Sequence, residues 1–240
     1  MSSILFNRRH IGGAVLALRD FCIVAQGSLS VTFTKRGSGS LSCSMDDGAT
    51  WTNVVSGQPL PNMSAGDKIY FRGSLVPNTA AASYRDRGIG TFTATGHFSV
   101  KGGILSLIKG NGWSNTDEIP YRAFCSLFYD CINLTDASEL VVPSGETMQE
   151  AFDHAFYNCS NLIASPSLPS SVVGLSSYYG MFTGCSNLHR IEVGFTSWAG
   201  DITLYWVRSV SNSGKFYCPA TLPIEYGDSR IPIGWQVVTL

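Results

Sequence analysis

Three copies of Phe-x-x-Cys-x-Asn-Leu follow one another: FYDCINL at 128–134, FYNCSNL at 156–162 and FTGCSNL at 182–188, at steps of 28 and 26 residues. A repeat of this length constrains the fold strongly, because one unit is too small to bury its apolar face alone and must stack on its neighbours. Upstream of each cysteine the apolar residues fall at i, i+3, i+4 and i+7: Phe124, Leu127, Phe128, Cys131; Phe152, Ala155, Phe156, Cys159; Tyr178, Met181, Phe182, Cys185. Side chains so spaced share one face of a helix, which predicts a short helix in every repeat. Leu140, Leu168, Ile191 and Val193 beyond the motifs then supply an extended segment facing back onto the helix. One helix and one strand per unit is the size of a leucine-rich-repeat coil, so residues 111–195 are expected to form three α/β coils.

Stacking gives each repeated residue a structural role. Phe128, Phe156 and Phe182, with Leu134, Leu162 and Leu188, fill the shared core, and Cys131, Cys159 and Cys185 suit small buried positions at a turn. Asn133, Asn161 and Asn187 are placed to bond backbone groups that the turn leaves unpaired. A metal site on the cysteine column lacks an interleaved histidine or second ligand column, and a disulfide between two stacked cysteines leaves the third unpaired. With seven cysteines, an odd number, and no Cys-x-x-Cys spacing, no closed disulfide framework is expected, nor any cofactor. The final stretch, 196–240, departs from the motif but holds Trp198, Trp206, Phe216, Tyr217 and Trp235. These aromatics are expected to cap the last coil; the alternative is a sugar-binding face.

Residues 28–110 have a different period. LSVTFT (29–34), LSCSM (41–45), TWTNVV (50–55), KIYFR (68–72), TFTATGHFSV (91–100) and ILSLI (104–108) are short runs between Gly, Pro, Asn and Asp. Alternation through Phe92, Ala94, Gly96, Phe98 and Val100 is that of a half-buried strand, so an antiparallel, Ig-like β-sandwich is expected ahead of the solenoid. SMDDGATW (44–51) matches the Asp-box hairpin Ser-x-Asp-x-Gly-x-x-Trp of sialidase propellers. Ser44 and Asp46 can accept N–H groups across its turn, Gly48 permits positive φ, and Trp51 packs beneath. One box without a propeller-length repeat predicts a hairpin lock rather than a catalytic site.

Charge narrows the partners. With 16 basic residues against 17 acidic and only 14% charged in all, the chain offers no basic stripe for nucleic acid, and no run reaches the roughly 18 apolar residues of a membrane span. Arg8 and Arg9 resemble the start of a secretion signal, but Arg19 and Asp20 interrupt the apolar run, so Met1 is expected to open the mature chain and residues 1–27 to form an arm. The four histidines, 10, 97, 154 and 189, accompany no Gly-x-Ser-x-Gly elbow or His-Glu-x-x-His helix. Glu139, Glu146, Glu150, Asp153 and Glu192 fall near the solenoid as the candidates for paired glycosidase carboxylates. An acidic patch is more often a solvated face, and no enzyme is expected.

In order along the chain, SMDDGATWTNV, LPNMSAGDKIYFRG, TATGHFSVKGGILSLI, the FYDCINL-type repeats, SPSLPSS and SGKFYCPATLP with IPIGWQVV resemble the BspA-like leucine-rich-repeat surface proteins of Bacteroides and relatives, from about residue 28 onward. The resemblance implies a non-enzymatic role in adhesion or display. Proteins of this modular type are similar to ones encoded by phages of those bacteria, whose structural proteins often open on a short basic arm like FNRRH. The expectation is therefore a virion decoration or fibre protein, on capsid or tail, with Arg8, Arg9 and His10 in an anchoring arm or a solvated charge cluster. Its expected partners are other virion proteins, a host surface protein or glycan, and further copies of itself; a bacterial cell-surface adhesin is the alternative.

Overall fold

The computed structural model describes residues 20–240. Strands β1 (Phe21–Ala25), β2 (Val31–Lys35), β3 (Leu41–Ser44), β4 (Thr52–Asn53), β5 (Lys68–Gly73), β6 (Gly90–Ala94) and β7 (Phe98–Gly103) precede the repeats. Five more, β8 (Leu134–Val141), β9 (Ala164–Leu168), β10 (Arg190–Val193), β11 (Lys215–Cys218) and β12 (Gln236–Thr239), follow from the first repeat onward. The first sheet runs β4-β3-β5-β1-β7-β8, a second runs β12-β11-β10-β9, and β2 pairs with β6 in a third. β7 pairs antiparallel with β1 but parallel with β8, and so joins the two halves of the chain in one sheet.

The expected α/β solenoid is not what forms. The described residues are about 32% strand and 3% helix, and no helix lies in the repeats. In their place each repeat runs through successive tight turns. The N–H groups of Ala151, Asp153, Ala155, Tyr157 and Cys159 donate to carbonyls three residues back, whereas an α-helix bonds four back. The alternate N–H groups of Glu150, Phe152, His154, Phe156 and Asn158 donate across to Leu175, Ser177, Tyr179, Met181 and Thr183 of the next coil. Every fourth residue takes a left-handed backbone, with φ near +54° at Glu150, +55° at His154 and +57° at Asn158. A turn unit of four residues also brings i and i+4 to the same side, so the apolar spacing expected of a helix arises without one. Neighbouring coils are thereby tied by backbone hydrogen bonds on the turn side as well as the sheet side, which makes stacking obligatory for satisfying the backbone.

Inside the stack the repeated aromatics form columns. Phe128, Phe156 and Phe182 follow at ring-centroid spacings of 5.2 and 5.7 Å, and Trp206 extends the column at 6.0 Å. Asn133 and Asn161 donate their side-chain amides to the carbonyls of Ala94 and Ile132, each at 2.9 Å, and Asn187 reaches the Asn161 side-chain oxygen at 3.4 Å. The Cys159 and Cys185 thiols point at the Phe128 and Phe156 carbonyls, at 3.1 and 3.0 Å, and all seven cysteines are free and buried. Burial pushes the Cys131 thiol up to about 12 and raises Cys159 and Cys185 as well. Since the thiolate is the reactive form, a maleimide or aromatic disulfide reagent is expected to leave these three unmodified in the folded protein and to label them on unfolding; mass spectrometry of both states checks this.

The segment 196–240 continues the ladder rather than capping it. The Phe182 and Gly184 N–H groups donate to the Trp206 and Arg208 carbonyls across the turns, and β11 and β12 add parallel rungs to β10. Ahead of the repeats the expected Ig-like sandwich is replaced by unequal layers: β4-β3-β5-β1-β7 on one side, and the β2–β6 pair on the other. Phe21, Phe33, Phe71 and Phe92 fill the space between, with Phe92 lying 5.3, 4.7 and 5.2 Å from the other three rings. Phe21 through Ala25, expected in the arm, form the strand between β5 and β7. The run 91–100 divides into β6 and β7 in different sheets, with a bend at Gly96, whose backbone passes too close to the Ser28 carbonyl for any side chain. Residues 106–109 make a single helical turn, not a strand; the Ser106 hydroxyl accepts from the Phe21 N–H and donates to the Phe71 carbonyl.

Residues 78–88 lie across the first two turn ladders. Ile89 and Phe92 donate to the Ala123 and Leu127 carbonyls, and the Tyr84 ring stacks on His154 at 4.0 Å and 8°. Gly88, at φ +81°, approaches the Cys125 carbonyl so closely that a Cβ would sit 2.7 Å from it. Arg87 ties this loop to Glu150 at 2.7 Å and Asp153 at 3.5 Å, and Arg122 pairs with Glu150 from the other side at 2.8 Å.

Candidate functional site

The parallel strands of the solenoid put every second side chain on the outer face of their sheet. Register aligns Arg190 with Lys215 and Lys215 with Gln236, while Glu192 stands beside Tyr217. Ile191, Phe216 and Cys218 face inward and are buried. Along the N-terminal ends of these strands lies an open groove of about 600 Å³, bordered by His189, Arg190, Ser211, Ser213, Lys215, Tyr217 and Gln236. Gly214 forms part of its floor, where a Cβ would meet the His189 carbonyl at 2.6 Å and the Trp235 ring at 2.8 Å.

The polar groups here are unevenly committed. The Arg190 guanidinium lies 4.4 Å over the Tyr217 ring and donates to Glu192 at 2.7 Å. His189 Nδ1 lies 3.0 Å from the Asn187 carbonyl, which can only accept, so Nδ1 carries the donated proton. Lys215 is exposed and has no ion pair among the described residues. The groove thus offers a free ammonium, an amide, two hydroxyls and one face of a half-buried aromatic ring. Such a set suits a neutral or weakly acidic polar ligand held by hydrogen bonds and ring contact.

Of the C-terminal aromatics expected to cap, Trp198, Trp206, Phe216 and Trp235 are in the core and Tyr217 alone borders this groove. Three of the five candidate glycosidase acids are held in ion pairs, Glu150 and Asp153 with Arg87, and Glu192 with Arg190, where it also accepts from the Ser167 hydroxyl. His154 is buried, with Nδ1 2.5 Å from Asp153 Oδ1. Among the described residues no group of three His, Cys, Asp or Glu side chains is arranged to hold a metal ion. The repeat residues Phe128, Phe156, Phe182, Leu134, Leu162 and Leu188 all lie in the core. Arg8, Arg9 and His10 lie outside the described residues. Lys215 and Gln236 escaped sequence reasoning because their shared row depends on the register of three strands far apart in the chain.

At the Asp box, the Ser44 hydroxyl accepts from the Gly48 N–H at 2.9 Å and donates to Asp46 at 2.7 Å. Asp46 accepts from the Thr50 N–H at 2.9 Å and the Thr50 hydroxyl at 2.6 Å. Trp51 donates its indole N–H to the Gly48 carbonyl and carries Arg72 3.5 Å over its ring. A cleft of about 420 Å³ borders the hairpin, but the Asp46 carboxylate is consumed by the turn. The Thr50 hydroxyl and N–H, then the Ser44 hydroxyl, pull the Asp46 carboxyl down to about 2 from 3.8. A depressed carboxyl contributes stability that is present above its unfolded pKa and lost as pH falls through the folded value. Asp46→Ala is therefore expected to lower Tm by a few degrees at neutral pH and to flatten the loss of Tm between about pH 4 and pH 2. Thermal melts of both proteins across that range check it; parallel pH curves would refute it.

No protein-family model, curated protein or solved structure gave a significant match to the chain. No helix among the described residues is long and apolar enough to cross a membrane.

Proposed function

We propose that the chain is a non-enzymatic display protein of a phage virion, seated on capsid or tail, whose solenoid presents its sheet face to a host surface protein or glycan. The observation that carries the binding half of this reading is the row of Arg190, Lys215 and Gln236 beside Tyr217 at the open groove. Saccharide hydroxyls take hydrogen bonds from such groups, and pyranose faces stack on tyrosine. A stack of coils bonded on two sides suits rigid presentation, and many copies on one particle raise avidity through effective concentration. The virion half rests on the resemblance and on the basic segment Arg8, Arg9 and His10, proposed to seat the protein among other virion proteins. Copies of the chain are proposed to associate with one another.

Mass spectrometry of purified virions against uninfected cells tests the location: recovery with the particle is expected, whereas recovery with the outer membrane of uninfected bacteria would make it a cell-surface adhesin. Deleting residues 2–15 is expected to reduce loading onto particles, and normal occupancy would sink the anchoring role. For binding, a glycan array probed with densely displayed protein is expected to give signals that Lys215→Ala and Tyr217→Ala abolish. A blank array, or signals indifferent to both changes, removes the glycan.

A further inference from the structure

Among the described residues, the last rung of the solenoid is paired on one side only. β12 pairs with β11 alone, and Gln236 and Leu240 turn their N–H groups toward the Gly214 and Cys218 carbonyls, at 2.9 and 3.0 Å. Along a strand successive backbone groups point to opposite sides, so the N–H and C=O of Val237 and Thr239 face away from the sheet. The three other strands at the ends of the two larger sheets, β4, β8 and β9, are handled differently. β4 is only two residues long, and β8 and β9 face each other, with the Ile163 N–H just ahead of β9 donating to the Thr135 carbonyl within β8 at 2.8 Å.

Sheet edges left open are normally blunted by lysine, proline, bulges or brevity. Gln236-Val-Val-Thr239 has no such residue, and its four register pairs with β11 run without a break. The same coil holds Ile233 at 73% exposure and Leu240 at 65%, with Ile224 and Tyr226 also exposed. Its charges are already matched, Arg230 with Glu225 at 2.9 Å and Arg208 with Asp228 at 3.3 Å, so no field of one sign repels an identical surface.

We infer that this edge takes a second copy of the chain, with the two β12 strands pairing antiparallel about a two-fold axis at Val238. In that register Val237 lies opposite Thr239 of the second copy, and the reverse. These residues bear the outward N–H and C=O groups, so they form the two hydrogen-bonded pairs. Val238 then meets its own counterpart in the non-hydrogen-bonded position, where side chains approach most closely. A strand that fits its own inverse in this way is what an isologous contact requires. The union joins the two parallel ladders into one continuous sheet with both grooves on the same face, so each dimer presents two of them. The inference rests on the self-association proposed above and is independent of the virion location and of the glycan.

Sedimentation and light scattering over a concentration series are expected to show a dimer of twice the chain mass. Val238→Lys and Val238→Glu should each weaken it by about tenfold or more, because either places like charges directly opposite one another. An equimolar mixture of the two variants should dimerise again, as a heterodimer in native mass spectrometry, a result that misfolding cannot produce. Thr239→Pro removes an outward N–H while keeping the bonds to β11, so it should give a monomer with unchanged circular dichroism, and Thr239→Ser should remain dimeric. A wild-type monomer at every concentration would overturn both the edge and the self-association. An oligomer that keeps its mass in Val238→Lys and Thr239→Pro would overturn the edge alone. A trimer, or a mixture that fails to recombine, would overturn the two-fold pairing.

Discussion

Phe156→Ala is expected to destabilise the protein by about 3–5 kcal/mol, the range for deleting a fully buried aromatic ring from a packed core. Phe156 is 1% exposed, with rings stacked on both sides, Phe128 at 5.2 Å and Phe182 at 5.7 Å. Truncation therefore opens a void between two coils at once, and a solenoid's stability is held largely in such nearest-neighbour interfaces. The backbone around it cannot readily close the gap. The Phe156 N–H is committed to Met181 in the next coil, and its carbonyl to the Cys159 N–H and the Cys185 thiol. Denaturant unfolding followed by tryptophan fluorescence and circular dichroism measures the loss. Tyr157→Ala, one residue along on the outer side, removes a half-buried ring stacked on Tyr129 at 4.9 Å and is expected to cost distinctly less. Equal losses at the two positions would mean that the columns inside the stack are not what holds the coils together.

The same column shows how much of the fold was legible. The repeat length, the inward Phe and Leu and the turn-bonded Asn could be read from spacing because stacking demands them at fixed intervals. Helix was the wrong inference, since i, i+3, i+4 and i+7 fit a chain of four-residue turns equally well. A distinguishing signal was present: the residue before each repeated cysteine is Asp130, Asn158 or Gly184, all types that tolerate positive φ, and all three adopt it at +57°, +57° and +80°. Ser126, His154 and Gly180 hold the same conformation four residues earlier, at +55°, +55° and +58°. No β-branched residue occupies either column. The missed strand at Phe21–Ala25 was hidden because its apolar run adjoins a charged leader, and the final rungs because β11 and β12 follow coils without the cysteine motif. Asn212 and Gly234 near those rungs show only that turns are present, not that parallel strands follow them. The groove was the least legible feature, because it is assembled from strand register rather than from any local pattern.

Arg87→Met is expected to cost about 3 kcal/mol, at the lower end for breaking a buried ion pair by removing one partner. Arg87 binds Glu150 and Asp153 through one nitrogen, and through the others the carbonyls of Ala81 and Ala82 within its own loop, at 3.0 and 2.7 Å. Without it both carboxylates stay in a largely water-excluded position, but Arg122 still pairs with Glu150, which limits the damage. A single side chain thus shapes the 78–88 loop and fastens it to the second coil, at the junction between the antiparallel layers and the solenoid. Arg87→Lys keeps the charge but cannot span carboxylates and loop carbonyls together, so it is expected to recover only part of the loss. The distinguishing measurement is a double-mutant cycle with Glu150→Gln. If the pair is coupled, the double variant is more stable than the sum of the single losses predicts. Limited proteolysis gives the structural readout: cleavage within 78–88 should rise in Arg87→Met as Tyr84 lifts from His154, before the core unfolds. Strict additivity in the cycle, together with an unchanged cleavage rate, would show that ring stacking and the Ile89 and Phe92 backbone bonds hold the junction without the ion pair.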